Sequence, residues 1–174
     1  MQEWRTKMDQ NPTKHYSCKQ EHMIAEYLGW DVVPGSGARD FHPGDIRSDC
    51  HLGECKTHTK AVNDIKFFSS VWNKIQHEAE SEMRCPVLFT DNGTQKLENT
   101  WCMLPKRCVN MLTLECVHNP DIKHNKSGIV IKHKYMKDTL HYSYAIIVSD
   151  FPDVSYPIMI VSLPTFKGIL DGDL

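Results

Sequence analysis

The residues best suited to chemistry are two acids and a lysine, Asp45, Glu54 and Lys56, which fall within a short part of the sequence. Alternate side chains of a β-strand share a face, so Glu54 and Lys56 are predicted to point the same way and Cys55 to the opposite, buried side. Asp45 belongs to the partner strand of a predicted hairpin and is expected to lie beside them. Converging carboxylates are unfavourable unless a cation neutralises them, and their hard oxygens suit Mg²⁺ or Mn²⁺.

This set of groups predicts hydrolysis of a phosphodiester bond. A divalent cation held by Asp45 and Glu54 would bind the phosphate, lower the pKa of a bound water and stabilise the charge of in-line displacement. The ammonium of Lys56 would orient the attacking water, accept its proton if the lysine pKa were depressed, or stabilise the phosphorus centre. In the alternative interpretation Glu54 and Lys56 are an exposed charge pair and Asp45 is a turn acid. The joint pattern, with a Gly-Ser-Gly loop at residues 35–37, favours a nuclease.

A first helix is predicted over residues 18–28, opened by Ser17 with Gln20 at the spacing of a capping box. At about 100° per residue, Glu21 lies at the border of the apolar stripe of this helix, whereas Glu26 lies on the far side. Glu21 is therefore expected to reach a site at the sheet, and Glu26 is expected to face water.

Turn residues and short apolar runs predict the strands around the site, with the second and third in an antiparallel hairpin. These strands are expected at Trp30–Val33, Gly44–Arg47, Leu52–Thr57 and Val87–Thr90. Apolar residues at three- and four-residue intervals predict a second helix from Ile65 to Met83, with Asn63 or Asp64 as its cap. The order helix, strand, hairpin, helix, strand indicates an α/β domain with a mixed sheet.

The later sequence contains two similar stretches, each with a strand, a loop, a second strand and a Leu-Pro pair that opens a short helix. They begin at Pro86 and at Tyr144, and they are interpreted either as a chance likeness of two hairpins or as a small repeat. A single domain is predicted over residues 1–174, with a core at about residues 14–118 and a β-rich C-terminal extension at residues 119–174 whose role is open.

Composition narrows the class of protein. The formal net charge of −2 argues against a protein that coats nucleic acid through bulk positive charge, but it allows a local basic groove. No apolar run is long enough to span a membrane, and Met1 to Thr13 lack the pattern of a secretion signal. Seven cysteines without a Cys-x-x-Cys pair predict reduced thiols in a cytoplasmic protein. A structural zinc site at Cys50, Cys55 and His58, with or without His51, is the weaker alternative because its spacing matches no common zinc pattern.

The segment from Gln20 to Lys60 resembles the restriction-endonuclease-like, or PD-(D/E)XK, nuclease superfamily, and most closely its Holliday-junction-resolvase branch, which includes phage proteins. The residues that match its signature are Gly44-Asp45, Glu54-Cys55-Lys56 and the Ser-containing loop Gly35-Ser36-Gly37. The likeness extends over the second helix to the strand that ends at Thr90. Gly44 replaces the proline of the signature, with Pro43 one place earlier, which changes backbone stiffness more than chemistry.

The resemblance implies roles for the site residues. Asp45 and Glu54 would bind the metal together with the main-chain carbonyl of Cys55, Lys56 would be catalytic, and Glu21 would assist through water. Donors that are candidates for phosphate contacts, and equally interpretable as exposed surface residues, are Ser36, Arg39, His42, His58 and Lys60. Gln76, on the second helix, resembles an auxiliary polar residue of some superfamily members; a surface glutamine is the alternative.

The expected function is that of a Mg²⁺-dependent endonuclease, with Mn²⁺ as a substitute, that selects branched DNA. The alternatives are a restriction-type or repair nuclease on duplex or single-stranded DNA, and a DNA-binding or assembly protein that keeps the fold without activity. Paired cuts in a junction imply a homodimer. Its surface is expected on the helix carrying Phe68, Trp72 and Ile75 or on the strand Ile158–Leu163, both also interpretable as core. The cytoplasm, of the host if a phage encodes the chain, is the expected compartment.

Overall fold

The computed structural model describes residues 12–34, 43–109, 113–118 and 122–174, which form four α-helices and eleven β-strands. The helices are α1 (Pro12–Leu28), α2 (Ser69–Ser81), α3 (His133–Thr139) and α4 (Leu163–Asp171). The strands are β1 (Asp31–Val32), β2 (Ile46–Arg47), β3 (His51–Lys56), β4 (Asp64–Phe68), β5 (Cys85–Asp91), β6 (Thr100–Pro105), β7 (Glu115–His118), β8 (Ile122–Asn125), β9 (Gly128–Lys132), β10 (Tyr144–Val148) and β11 (Ile158–Ser162).

Eight strands form one sheet in the order β1-β2-β3-β5-β6-β11-β10-β7, and β4, β9 and β8 form a smaller sheet. In the large sheet β3 pairs with β5, and β7 with β10, in parallel, while its other neighbours are antiparallel. The central strands β5, β6 and β11 are buried along nearly their whole length, because both faces of the sheet are covered. The predicted α/β fold with a mixed sheet and a β-rich C-terminal part is confirmed.

Alternation along the central strands builds two hydrophobic cores, one on each face of the large sheet. Leu88 of β5 belongs to the core that contains Trp72 and Ile75 of α2, together with side chains of the smaller sheet. Its neighbours Val87 and Phe89 belong to the other core, which contains residues of α1 and α4. The end of β3 therefore lies between α1 on one face and α2 on the other.

The second helix begins at Ser69, so the prediction that it starts at Ile65 is wrong. Asp64–Phe68 is a strand that pairs with β9, and its side chains alternate between buried and exposed positions. Ile65 and Phe68 fit a helical spacing as well, but pairing with β9, which is distant in the sequence, decides the outcome. The helix also ends at Ser81 rather than Met83, whose side chain is 94% exposed.

The first helix begins at Pro12, earlier than predicted, which is consistent with the tolerance of proline in a first helical turn. Ser17 is therefore inside the helix and is not its cap. The predicted strands near the site exist: the first two are shorter than predicted, the third is shifted by one residue and the fourth is longer at both ends. The second and third form the expected antiparallel hairpin. Among the described residues, no helix is both long and apolar enough to cross a membrane.

The segment beyond residue 119, expected as an extension, contributes to both sheets. Strands β10 and β11 lie in the large sheet, where β11 pairs with β6. The two hairpins noted for their similarity, β5-β6 and β10-β11, thus meet along their inner strands. Strands β8 and β9 of the same segment form the smaller sheet with β4.

The two surfaces expected to support a homodimer are mainly part of the protein's own core. Trp72, Ile75 and the strand Ile158–Ser162 are buried, and only Phe68 of the proposed helix surface is exposed. Neither surface is therefore available for self-association as predicted, because the apolar side chains already pack inside the monomer.

Trp72→Ala should lower the free energy of unfolding by about 3–5 kcal/mol, since it leaves a large cavity in the core beneath α2. The matched control is Met83→Ala, just beyond the same helix, which should change that free energy by less than about 0.5 kcal/mol. Urea unfolding followed by circular dichroism measures both. Similar losses in the two variants would contradict the assigned packing of α2.

Candidate active site

The last residues of β3 carry the predicted acid and lysine. Glu54 and Lys56 lie on the α2 face of the sheet, whereas Cys55 is buried in the core beneath α1, as the alternation predicts. Only 4% of Glu54 is exposed, so its carboxylate is nearly withdrawn from water. A buried carboxylate must be compensated by cations or hydrogen-bond donors.

Asp45 is fixed beside this strand end by the hairpin. Its amide nitrogen donates to the carbonyl of Gly53 over 2.8 Å, and its carbonyl accepts from the amide of Val33 over 2.8 Å. Its side-chain Oδ2 accepts a hydrogen bond from the amide nitrogen of Cys55, also over 2.8 Å. The second acid is therefore oriented toward the main chain of the Glu54-Cys55-Lys56 segment.

Gly44 forms the turn that positions Asp45. Its φ is +70°, and a Cβ at this position would lie 2.8 Å from the side chain of Leu52. Proline cannot adopt a positive φ, so the glycine reflects a turn different from one built on the proline of the nuclease signature. The turn itself departs from the signature, while the acid that follows it is retained.

The main-chain carbonyl of Cys55 points toward the same edge as Asp45. The amide and carbonyl of one strand residue point to the same side of the strand, and the Cys55 amide donates to Asp45. The carbonyl that the resemblance assigns to metal binding is therefore directed to the side on which Asp45 lies.

Two lysines compensate the buried carboxylate of Glu54. Lys56 donates a hydrogen bond to Oε1, and the ammonium of Lys74 on α2 lies 3.5 Å from Oε2. Oε2 is buried and has no partner within hydrogen-bonding geometry, so Lys74 acts on it only as a nearby charge. One oxygen of the acid thus retains its capacity to accept a further ligand.

Glu78 joins α2 to the turn before Asp45. Its Oε2 accepts from the amide of Gly44 over 3.2 Å, and its Oε1 lies 3.7 Å from the ammonium of Lys74. The sequence interpretation missed both Lys74 and Glu78. Their four-residue spacing beside the apolar stripe of the second helix was the available signal, but sequence alone does not tell which flank of the helix faces the site.

Gln20, predicted as part of a capping box, has a different position in the structure. It is fully buried, and its Nε2 donates to the main-chain carbonyl of Lys56 over 3.1 Å. It thereby attaches α1 to the strand residue whose side chain is the candidate catalytic lysine. Its spacing from Ile24 on the buried stripe of α1 was the signal for this inward position.

The pKa of Glu21, the next residue along α1, depends on the charges at the end of β3. Burial first, and then the negative charge of Asp45, raise the pKa of Glu21 from 4.5 to about 7, with a further contribution from Glu54. His22 and Lys56 oppose this rise. Glu26 is exposed, as its position on the helix predicts. Glu21, rather than Glu26, therefore lies on the partly buried side of α1, within the electrostatic influence of Asp45.

The charge state of Lys56 follows from its acidic neighbour. Burial alone would lower the pKa of Lys56, but the charge and hydrogen bond of Glu54 outweigh it, and the pKa lies above its usual value. Lys56 is therefore protonated at neutral pH. This favours its action as a cation and hydrogen-bond donor over its action as a base.

The donor atoms at the end of β3 are of the type that small divalent cations prefer. Buried Oε2 of Glu54, the Asp45 carboxylate and the carbonyl of Cys55 are hard oxygen ligands, and Mg²⁺ typically takes one or two carboxylates while keeping waters or substrate oxygens. In the part of the chain that the structure describes, no three His, Cys, Asp or Glu side chains gather as a ready-made metal cluster. A cation here would therefore depend on the main-chain carbonyl and on exchangeable ligands.

The alternative zinc site does not form around β3. Cys50 is exposed before the strand, whereas Cys55 is buried beneath α1. Burial and the nearby acids raise the pKa of the Cys55 thiol, which disfavours the thiolate that zinc requires.

The residues predicted to contact phosphate are only partly described by the structure. Ser36, Arg39 and His42 lie outside the described residues. His58 is half-buried and lines a cavity beside Lys56, while Lys60 is exposed on the loop after β3. The structure does not bring Gln76 to the site: its amide donates to Glu80 over 3.0 Å, on the flank of α2 opposite Lys74 and Glu78.

Comparisons of the chain with protein-family models, with curated proteins and with solved structures find no match.

Replacement of Glu21 by glutamine should alter the pH dependence of stability in the metal-free protein. Because the pKa of Glu21 is about 7 in the folded state and 4.5 in the unfolded state, the folded state binds its proton more tightly. The stability gained from this proton is complete below pH 4.5 and is lost as the pH rises to about 7. Glu21→Gln should thus become more stable relative to the parent over this interval, as measured by urea unfolding in chelator.

Glu26→Gln is the matched control and should show no such trend. Carbon-13 NMR titration of the Glu21 carboxyl gives the pKa directly, and Asp45→Asn should lower it by removing a negative charge. Titration of Glu21 near 4.5 in the parent protein would contradict the described environment.

Proposed function

We propose that this protein is a Mg²⁺-dependent endonuclease that hydrolyses DNA phosphodiester bonds, with Mn²⁺ as an effective substitute. The observation that carries the proposal is the nearly buried Glu54 carboxylate, which lies between two lysines and beside the main chain to which Asp45 is bonded. A structural charge pair would be more stable at the surface, since burial of a carboxylate costs free energy that an exposed pair avoids. A role in binding a cation and a phosphate would explain why this carboxylate is buried.

Asp45, Glu54 and the carbonyl of Cys55 would hold the cation. When bound, the cation supplies Lewis-acid activation of the phosphate and of an attacking water. Lys56 remains protonated beside Glu54 and donates hydrogen bonds to the phosphate oxygens as negative charge builds up on them. Glu21, whose pKa of about 7 is close to neutral pH, is suited to accept a proton at its carboxylate through a water molecule.

Asp45→Asn, Glu54→Gln and Lys56→Ala should each reduce DNA cleavage in Mg²⁺ by at least about 100-fold, and double variants should lose little more. The reason is that the three groups act on one reaction step as a unit. Cleavage of a labelled DNA substrate measures the rate, and circular dichroism checks that each variant folds.

Exposed residues nearby supply matched controls: Asp49→Asn, Glu26→Gln and Lys19→Ala should cleave at the parent rate. Ca²⁺ in place of Mg²⁺ should support DNA binding without efficient turnover, because its coordination is larger and looser. Near-parent activity in any of the three site variants, strong cleavage in excess chelator or a requirement for zinc would overturn the proposal.

For the substrate, we propose branched DNA cut by a homodimer. One such site cuts one strand, and two symmetric cuts in a four-way junction need two sites, which a two-fold dimer supplies most simply. Binding should fall steeply with salt although the formal net charge is −2, because a local cluster of cations would contact the phosphates.

A panel of junction, linear duplex and single-stranded substrates in Mg²⁺ should give the fastest cleavage on the junction, with paired nicks. Sedimentation at micromolar concentration should give a dimer. A strict monomer that cuts linear and branched DNA equally would remove the resolvase proposal and leave that of a general nuclease.

A further inference from the structure

A cavity of about 170 Å³ opens beside Lys56 between the large and small sheets. Leu88 of β5 and Val71 in the first turn of α2 supply apolar walls. The candidate catalytic lysine lies on the rim of this cavity and also contacts Glu54. A group held in the cavity would therefore lie next to whatever Lys56 binds.

The lysine and histidine side chains that line the cavity are those of Lys56, His58 and Lys66, and no acidic side chain of the described residues joins them. The first turn of α2, which supplies Val71, has no acidic residue either. Positive charge on an apolar cavity suits a ligand that combines phosphate with a flat, uncharged ring system.

Phe68 gives the cavity an aromatic wall that faces water. Its side chain is 44% exposed, one of the exposed large hydrophobic residues of the described chain together with Met83 and Tyr142. Phe68 and Lys66 are two positions apart on β4, so an aromatic ring and an ammonium share one face of the small sheet.

Further lysines extend this face away from the cavity. Lys66 of β4 lies opposite Val130 of β9, which lies opposite Lys123 of β8. Two positions along the same strands, Lys132 of β9 forms an ion pair with Asp64 of β4. The pKa of exposed Asp64 is lowered by the hydrogen bond from Lys132 and by the charges of Lys132, Lys123 and Lys66, which places these lysines in one electrostatic neighbourhood.

We propose that the cavity binds an unpaired nucleotide of the DNA strand, with its base stacked on Phe68 and the strand continuing along Lys66 and Lys123. The inference rests on the proposed nuclease function for the position of the cut bond, and it adds a requirement for unpaired nucleotides beside that bond. The nucleotides at the centre of branched DNA meet this requirement more readily than those of a regular duplex. A base in a closed duplex is stacked between its neighbours and cannot reach Phe68.

Fluorescence anisotropy of the full chain in EDTA, where no metal-dependent cleavage takes place, tests binding alone. The probes are a short labelled oligothymidylate and a blunt duplex of matched length. The single strand should bind more tightly, and Phe68→Leu, which keeps an apolar side chain but removes the ring, should weaken its binding about fivefold or more. Tyr142→Leu, at another exposed aromatic residue, should bind like the parent.

Lys66→Ala should weaken binding and reduce the slope of log affinity against log salt by about one, whereas Lys19→Ala on α1 should leave that slope unchanged. Equal affinity of Phe68→Leu and the parent, a preference for duplex, or no binding of either oligonucleotide would each overturn the inference. Single-strand binding that depends on Phe68 in a protein that cuts no DNA would support the ligand assignment while the nuclease proposal fails. Cleavage by a protein whose DNA binding does not depend on Phe68 would support the nuclease proposal and contradict the assignment of the cavity to a nucleotide.

Discussion

The near-complete burial of one carboxylate constrains the arrangement of this molecule. With 4% exposure, the negative charge of Glu54 is unfavourable unless the surrounding elements supply compensation. The strand itself brings Lys56, and α2 brings Lys74. Because α2 is anchored in the core through Trp72, the packing of that helix and the electrostatics of the strand end are coupled.

The second acid is held by hydrogen bonds rather than by counter-charges alone. Glu78 accepts a hydrogen bond from the amide of Gly44, and the adjacent Asp45 accepts one from the amide of Cys55. Cys55 in turn lies between Glu54 and Lys56 on β3. Lys74 lies close to both Glu54 and Glu78, which closes a ring of contacts from α2 through the hairpin and back to α2. Elements that are distant in the sequence are thereby joined through the groups of the site.

Local patterns predicted the parts of this arrangement that local chemistry determines. Strand alternation gave the common face of Glu54 and Lys56, and helix phase separated Glu21 from Glu26. Pairing between distant segments was outside the reach of such patterns, so Asp64–Phe68 was predicted as helix although it is paired with β9. For the same reason the sequence does not tell which flank of α2 faces the site, and its pattern indicates Gln76 rather than Lys74 and Glu78. The local pattern around buried Gln20 indicates a cap, because its hydrogen-bond partner, the carbonyl of Lys56, is remote in the sequence.

The two acids differ in how much sheet supports them. Glu54 lies on a strand that pairs with β5 along its whole length, whereas Asp45 precedes the two-residue strand β2, whose outer neighbour β1 is equally short. Opening of that edge breaks few hydrogen bonds and exposes Ile46 from the core beneath α1, but it leaves the central strands paired, so it costs less free energy than global unfolding. The sheet edge that carries Asp45 thus has its own equilibrium between an open and a closed form, and the free energy of this opening is separate from the free energy of global unfolding. A ligand that bridges the two acids shifts this equilibrium toward the closed form by mass action, and part of its binding free energy is used to hold the edge in place.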